Sequence, residues 1–402
     1  MFVKNLLPAL VAIGSVAAQS TCTVSTTTVN SQAEATKLAS CRTVKGTVVI
    51  GSESGASIDI SGPKEITGDL RVLDNGVMQD FSSTSLTTIG GSFQMKNVSS
   101  LASVQFSSLT SVKTLEWVSV SRLATLKLGP LTKADEVIIS DTFLNTLDSI
   151  NLKTTKKFNI NNNGQLTKFS TQLESLEDDL NIQANGIDLE VDLPNLVWIA
   201  NMAIANVTKF SVPSLEVVNG SARFDSNYFA SFSAPNLTHT EEGDISFVGN
   251  GALNNMTFPK LTAIAGGLLI ANNTGLGQVT FFPKLETVGG AVKLRGNFTE
   301  VDFPKLENVK GAFDVSSTAD IKKSCEKLLK YAPKTQNGNG KILGTFTCTA
   351  NNAKANEDTN DTTSGSGNVD TNGDEKSAAG AGVTFPAALL GLVAVAAFAS
   401  AL

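Results

Sequence analysis

Three copies of one word, Phe258-Pro259-Lys260-Leu261, Phe282-Pro283-Lys284-Leu285 and Phe303-Pro304-Lys305-Leu306, recur at steps of 24 and 21 residues. A period in that range marks a stacked architecture, in which each unit buries its apolar face only against its neighbours. The residues after each copy repeat as well. Ile264, Val288 and Val309 stand three residues after the Leu, followed by Gly266-Gly267, Gly289-Gly290 and Gly311, and then by a short alternating apolar segment.

Weaker copies extend the unit through most of the chain. Aligned on the repeated Leu they give Leu86, Leu109, Leu131, Leu152, Leu176, Leu196, Leu215, Leu237, Leu261, Leu285 and Leu306, at intervals of 19 to 24. Apolar pairs three and five places earlier, such as Val104/Phe106, Phe210/Val212 and Val301/Phe303, put both side chains on one face of a strand. A second alternating pair closes each unit, as in Phe158/Ile160, Ala222/Phe224 and Leu268/Ile270. Asn75, Asn163, Asn185, Asn227, Asn250, Asn273 and Asn297 stand three residues after that pair. Stacked unit upon unit, such amides can satisfy backbone groups at a turn, because buried polar groups need partners. The expectation is an all-β, right-handed parallel β-solenoid over residues 19–350. The glycine pairs, including Gly90-Gly91, are read as corners where Gly permits positive φ.

Both ends of the chain carry addressing signals. Lys4, an apolar run from Leu6 to Ala18 and small residues at 16–18 form a secretory signal cleaved after Ala18. At the other end, 351–377 is a Ser/Thr/Asn-rich stretch too polar to fold, read as a disordered stalk. The uncharged apolar segment that closes the chain has no basic flank after Leu402, unlike most spanning helices. Small residues, a spacer and that tail are the layout of a GPI signal, with attachment at Ser377, alternatively Asn372, and removal of 378–402.

Secretion places the four cysteines in an oxidising compartment, where three pairings are open. Spacing favours Cys22–Cys41 and Cys325–Cys348, each bracketing a helical-looking segment, 31–40 and 320–329. Solenoid ends expose the core, so these are the natural caps. No second Cys or His stands at ligand spacing, so no metal and no cofactor are expected.

The FPKL words, capping cysteines, glycosylation acceptors and GPI tail together resemble the fungal GPI-anchored cell-wall organisation family of extracellular-mutant and sporulation-specific proteins. The repeat itself resembles the leucine-rich-like L-domain of growth-factor-receptor ectodomains. The resemblance covers roughly residues 22–348 plus the tail. It implies a cell-surface protein, at the outer leaflet of the plasma membrane or in the wall, that supports wall integrity without catalysis. Its expected partners are the membrane, through the anchor, and wall glucan or mannoprotein.

Function classes are narrowed by the residues. A net charge of −6 without a basic run excludes a nucleic-acid footprint. Acceptors for N-glycosylation stand at Asn97, Asn206, Asn219, Asn236, Asn255, Asn272, Asn297 and Asn360. Asn97, Asn206 and Asn272 are expected to face out. Asn297 falls at the inward position, where burial and glycosylation compete, and is expected to be the least occupied of the folded sites. His239, the single histidine, lacks a nearby nucleophile and reads as a surface residue. A polysaccharide hydrolase needs two carboxylates on one face. Glu190/Asp192 and Asp179/Asp188 are the nearest candidates and read as a solvated acidic surface. Sugar-binding platforms are limited to Trp117, Trp198, Tyr228 and Tyr331. Trp198, beside core-facing Ile199, is the best ligand contact. The alternatives to an organising role are a receptor-like module for wall polysaccharide or peptide and, more remotely, a wall-remodelling enzyme.

Overall fold

The computed structural model describes residues 20–357. The signal segment, Asn360, Asn372, Ser377 and the apolar tail lie outside the described residues. The chain divides into two compact units, Met1–Pro194 and Asn195–Leu402, and each is built as a parallel β-solenoid.

In the first unit, strands β1 (Ser20–Val29) and β2 (Cys41–Ile50) pair in parallel. The long sheet they begin continues through Leu70–Leu73, Thr88–Lys96, Ser111–Val120, Glu136–Thr142, Thr154–Asn161 and Ser175–Gln183. Short strands form a second face: Ser57–Asp59, Asp80–Ser82, Ser103–Phe106 and Thr125–Leu128, then Lys168–Ser170 beside Glu190–Asp192. The two faces sandwich one core, in which the rings of Phe158 and Phe169 lie 5.0 Å apart. The second unit repeats the plan from Trp198–Ala205 to Phe346–Thr349, with short strands such as Ser231–Ser233 beside Asn255–Thr257. Among the described residues no helix is long and apolar enough to cross a membrane.

The FPKL word is a β-turn. The carbonyls of Phe282 and Phe303 accept from the amides of Leu285 and Leu306 at 3.4 and 3.2 Å, and Pro at the second position supplies the φ such a turn requires. Pro and Lys are exposed while Phe and Leu point inward. Phe258, Phe282 and Phe303 consequently stack, with centroids 5.1 and 5.7 Å apart. Each such pair contributes roughly 0.5–1.5 kcal/mol beyond its buried area.

The eleven aligned leucines are all buried, but they do not all share one column: Leu131 bridges to Ile150 rather than to Leu152. Thr154 pairs with Ser175, so the partner of Leu152 is Leu173. Leu176 instead faces Thr155, in the column of Ile264, Val288 and Val309. Inward apolar residues two or three apart made the columns ambiguous in sequence.

The asparagines do form a ladder. Asn75, Asn163, Asn185, Asn227, Asn250 and Asn273 are buried. The Oδ1 of Asn250 accepts from the Asn227 amide at 2.9 Å, and its Nδ2 donates to the Phe224 carbonyl at 2.8 Å. Asn273 does the same for Asn250 and the Phe247 carbonyl, at 2.9 Å each. Each rung thus satisfies backbone groups of the coil before it. Val98, Val120, Thr142 and Val207 occupy the same slot elsewhere, as the positive-φ residue preceding each of them marks.

The glycine pairs correct the expectation of positive φ. None of Gly90, Gly91, Gly266 and Gly267 has it. The requirement is close approach: a Cβ on Gly91 would lie 2.9 Å from the Gly68 carbonyl carbon, and one on Gly266 would lie 2.7 Å from that of Gly243. Gly290 and Gly311 extend this packed column, since a Cβ on either would lie 2.7–2.8 Å from the glycine backbone one coil earlier.

Disulfides stand at both ends of the described fold. Cys22–Cys41 joins β1 to β2 across helix α1 (Gln32–Lys37), whose N-cap Ser31 Oγ accepts from the Glu34 amide at 3.3 Å. Cys325–Cys348 ties helix α2 (Lys322–Leu329) to Phe346–Thr349. The stretch read as the start of the stalk is folded as far as Glu357. Asn352 Nδ2 donates to Ser316 Oγ at 2.8 Å, Asn356 Nδ2 donates to Asn297 Oδ1 at 2.9 Å, and Ala355 is buried. Composition hid this because the anchoring groups are amides and hydroxyls.

Candidate functional site

In a solenoid every outward residue falls in a row, one member per coil, so a site is assembled from coil-to-coil register. On the long sheet of the first unit these rows are knit by charge and amide pairs. Arg71 meets Asp69 and Lys96 meets Glu116 at 2.5 Å, Gln94 donates to Glu116 at 2.7 Å, and Asn161 donates to Asn159 at 2.7 Å. Arg295 and Asp314 pair in the same way in the second unit. Such pairs are partly exposed and add little stability, but they order the surface.

The second unit aligns two residues that sequence treated separately. Trp198 pairs with Val217, and Val217 with His239, so indole and imidazole share one outward row, two rungs apart. The signal was present in the alignment, since each stands two places after a repeated Leu. Trp198 is half-buried. His239 is anchored by Nδ1 against Thr238 Oγ1 at 2.8 Å, with Glu241 4.0 Å from Nε2. Trp117 and Tyr331 are buried and unsuited to ligand contact. Tyr228, 49% exposed, is the more open aromatic.

The acidic candidates do not converge. Glu190 and Asp192 point outward from a short strand with Val191 between them facing the core, and Asp188 lies in the preceding turn. Asp179 stands on the long sheet, on the other side of that core, opposite Lys157. Burial pushes its carboxyl above the ordinary 3.8, Lys157 opposes the shift and Asp178 adds to it. Asp225 is raised chiefly by burial against the lowering effect of Arg223. Among the described residues no group of three or more His, Cys, Asp or Glu could hold a metal. A groove of about 330 Å³ crosses the short strands of the first unit, lined by Ser57, Asp80, Ser82, Ser103, Gln105 and Lys127. Those polar groups bind hydroxyls and amides, and the aromatic residue of that lining, Phe81, is fully buried and presents no exposed ring.

The acceptor asparagines fall into two structural classes. Asn97, Asn206 and Asn272 occupy one corner in the left-handed conformation, with φ of 54°, 60° and 54°. Asn/Asp tolerate that region best after glycine. Asn97 is exposed, and Asn206 and Asn272 are half-exposed. Asn219 and Asn236 stand half-exposed at other corners, and Asn255 is exposed on a short strand. Asn297 departs from its expected inward position. The strand Val292–Gly296 runs one residue further than its predecessors, so Phe298 takes the ladder slot and is buried. Asn297 is left half-exposed, donating to the Thr274 carbonyl at 3.2 Å. Burial therefore gives no reason for low occupancy there.

A family model described as "Ecm33: GPI-anchored cell wall organization protein" matches residues 1–39. The chain is 36% identical to "Protein ecm33" of Aspergillus fumigatus over 90% of its length and 89% of that protein. It is 35% identical to "Sporulation-specific protein 2" of Saccharomyces cerevisiae over 70% of its length and 56% of the relative's. It is 30% identical to the "Cell surface GPI-anchored protein ECM33" of Candida albicans over 82% of this chain and 78% of that one. No solved structure matches significantly.

Proposed function

The chain belongs to the fungal family of GPI-anchored cell wall organisation proteins, and from that premise we propose that it organises the wall by presenting ordered, glycosylated surfaces rather than by catalysis. The observation that carries this reading is the outward rows. Acidic, basic and amide side chains are spent on pairing with one another along the sheet, and the candidate acids are divided between two faces. Fold alone would not decide the matter; the dispersion of the acids favours it.

On this reading residues 1–18 are removed on secretion and the solenoid repeats from 19 to about 350 act as one domain. The stretch beyond Glu357 is a stalk, and Ser377, or Asn372 in its place, receives the anchor while 378–402 is discarded. Wall glucan or mannoprotein is the partner such a surface would meet.

A second reading is supported by the Trp198–Val217–His239 row: a module that binds wall polysaccharide, with the indole as platform. One experiment separates the readings. The secreted ectodomain, residues 19–370 with trimmed glycans, is incubated with β-glucan, chitin and mannan, and depletion and released sugar are scored together. The organising role predicts no released sugar. Saturable depletion abolished by Trp198→Ala would promote the binding module. Released sugar lost in a Glu190→Gln/Asp192→Asn variant would overturn the non-catalytic reading.

A further inference from the structure

Of the three acceptors at the left-handed corner, one meets an aromatic ring. Asn206 Nδ2 lies 3.4 Å from the Ser226 carbonyl and 3.5 Å from the Tyr228 hydroxyl, both on the next coil. The position corresponding to Tyr228 is Ser121 for the coil after Asn97 and Thr299 for the coil after Asn272. Tyr228 is held from both sides. Its amide donates to the Val207 carbonyl at 2.9 Å, its predecessor Asn227 is a buried rung of the ladder, and its successor Phe229 is buried in the core. The residue as a whole is 49% exposed. The residue in its row on the following coil is Gly251, which has no side chain to cover it. A rigid, uncovered tyrosine beside a glycan-acceptor nitrogen is an amphipathic platform, apolar on its face and polar at its tip.

We propose that Tyr228 packs against the core N-acetylglucosamine carried by Asn206, so that the glycan clamps two successive coils together. This deepens the secreted-glycoprotein reading and rests on it. In the modification, Asn206 Nδ2 loses a proton and displaces the diphosphate of a polyisoprenoid-linked oligosaccharide from the sugar C1. One N–H remains on Nδ2 to donate to the Ser226 carbonyl. The sugar then begins at an atom 3.5 Å from the Tyr228 hydroxyl, and its apolar face covers the ring. Because the tyrosine is pre-ordered by its backbone, little conformational entropy is lost when they meet.

The test uses the secreted protein, glycopeptide mass spectrometry and thermal unfolding. Thr208→Ala removes the acceptor motif while keeping Asn206. Tyr228→Ala removes the ring, and Tyr228→Phe keeps the ring but not its hydroxyl. The expected result is an occupied Asn206, with Tyr228→Ala lowering Tm by about 2–4 °C in the glycosylated protein and leaving it unchanged in the Thr208→Ala background. Tyr228→Phe should match the parent. In the unaltered protein, proton signals of the Asn206-linked sugar should lie upfield of those at Asn97, shifted by the ring. An unmodified Asn206 alongside occupied acceptors elsewhere would overturn the clamp alone, whereas a protein with no glycan anywhere would overturn the glycoprotein reading. Equal losses in both backgrounds, Tyr228→Phe behaving like Tyr228→Ala, or unshifted sugar signals would each overturn the clamp.

Discussion

Asn250 is bonded on both sides of its amide, so removing it leaves more than one group without a partner. Its Oδ1 serves the Asn227 amide and the Asn227 Nδ2 at 2.9 and 3.0 Å, and its Nδ2 serves the Phe224 carbonyl. A buried group left unsatisfied costs roughly 1–3 kcal/mol. Asn250→Ala is therefore expected to cost about 2–4 kcal/mol in urea unfolding, and a loss under about 0.5 kcal/mol would show that water replaces the amide without penalty. Asp225 argues in the opposite direction. Burial raises its folded-state pKa above 3.8 against the pull of Arg223, so the native state holds that proton more tightly than the unfolded chain. Stability from this group is complete below the unfolded value and is lost as pH rises through the raised one. Asp225→Asn should accordingly be more stable than the parent at neutral pH. The difference should vanish as pH falls below the ordinary 3.8, and Tm against pH for the two proteins checks it.

Elements are set one upon another by what fits between coils. Gly266 sits where a Cβ would meet the Gly243 backbone, while nothing stands within 4 Å of a Cβ on Gly277. Gly266→Ala is expected to cost about 1–3 kcal/mol and Gly277→Ala to stay within about 0.5 kcal/mol in the same denaturant titration. Similar losses at both sites would mean that backbone freedom, not close approach, explains the glycines. The contrast also marks what could be read from the chain. Periodicity exposes anything that repeats with side chains: the FPKL turns, the inward leucines and the asparagine ladder were all legible from Phe258 to Leu306 and from Asn75 to Asn273. Contacts between coils depend on register, and register was hidden wherever a coil departs by one residue. One additional strand residue at Gly296 moved Asn297 out and Phe298 in, and two inward residues three apart disguised Leu173 as Leu176. Neither the meeting of Asn206 with Tyr228 nor the amide-built fold of 351–357 has a local sequence signature, because each depends on a neighbour about 20 or more residues away.

The whole molecule joins a fold that closes before its tail to a role that requires attachment. Cys325–Cys348, helix α2 and the packing of Asn352 and Asn356 complete the last coils by Glu357. Terminal caps are what a solenoid needs in order to remain folded and soluble. A chain ending at Asp370 retains all of them and loses both proposed attachment sites. It should be recovered from the culture medium with both disulfides formed and with a Tm within about 2 °C of anchored protein released by phospholipase. In cells lacking the native protein, it should fail to restore resistance to wall-binding dyes, because ordered surfaces in free solution have no fixed position relative to the wall polymers. The anchored chain should restore it. If the released form restored resistance equally well, the tether would be dispensable and a soluble binding role would replace the organising one. If it were secreted unfolded, the sequence beyond Asp370 would have to contribute to the fold, and the division between solenoid and stalk would be wrong.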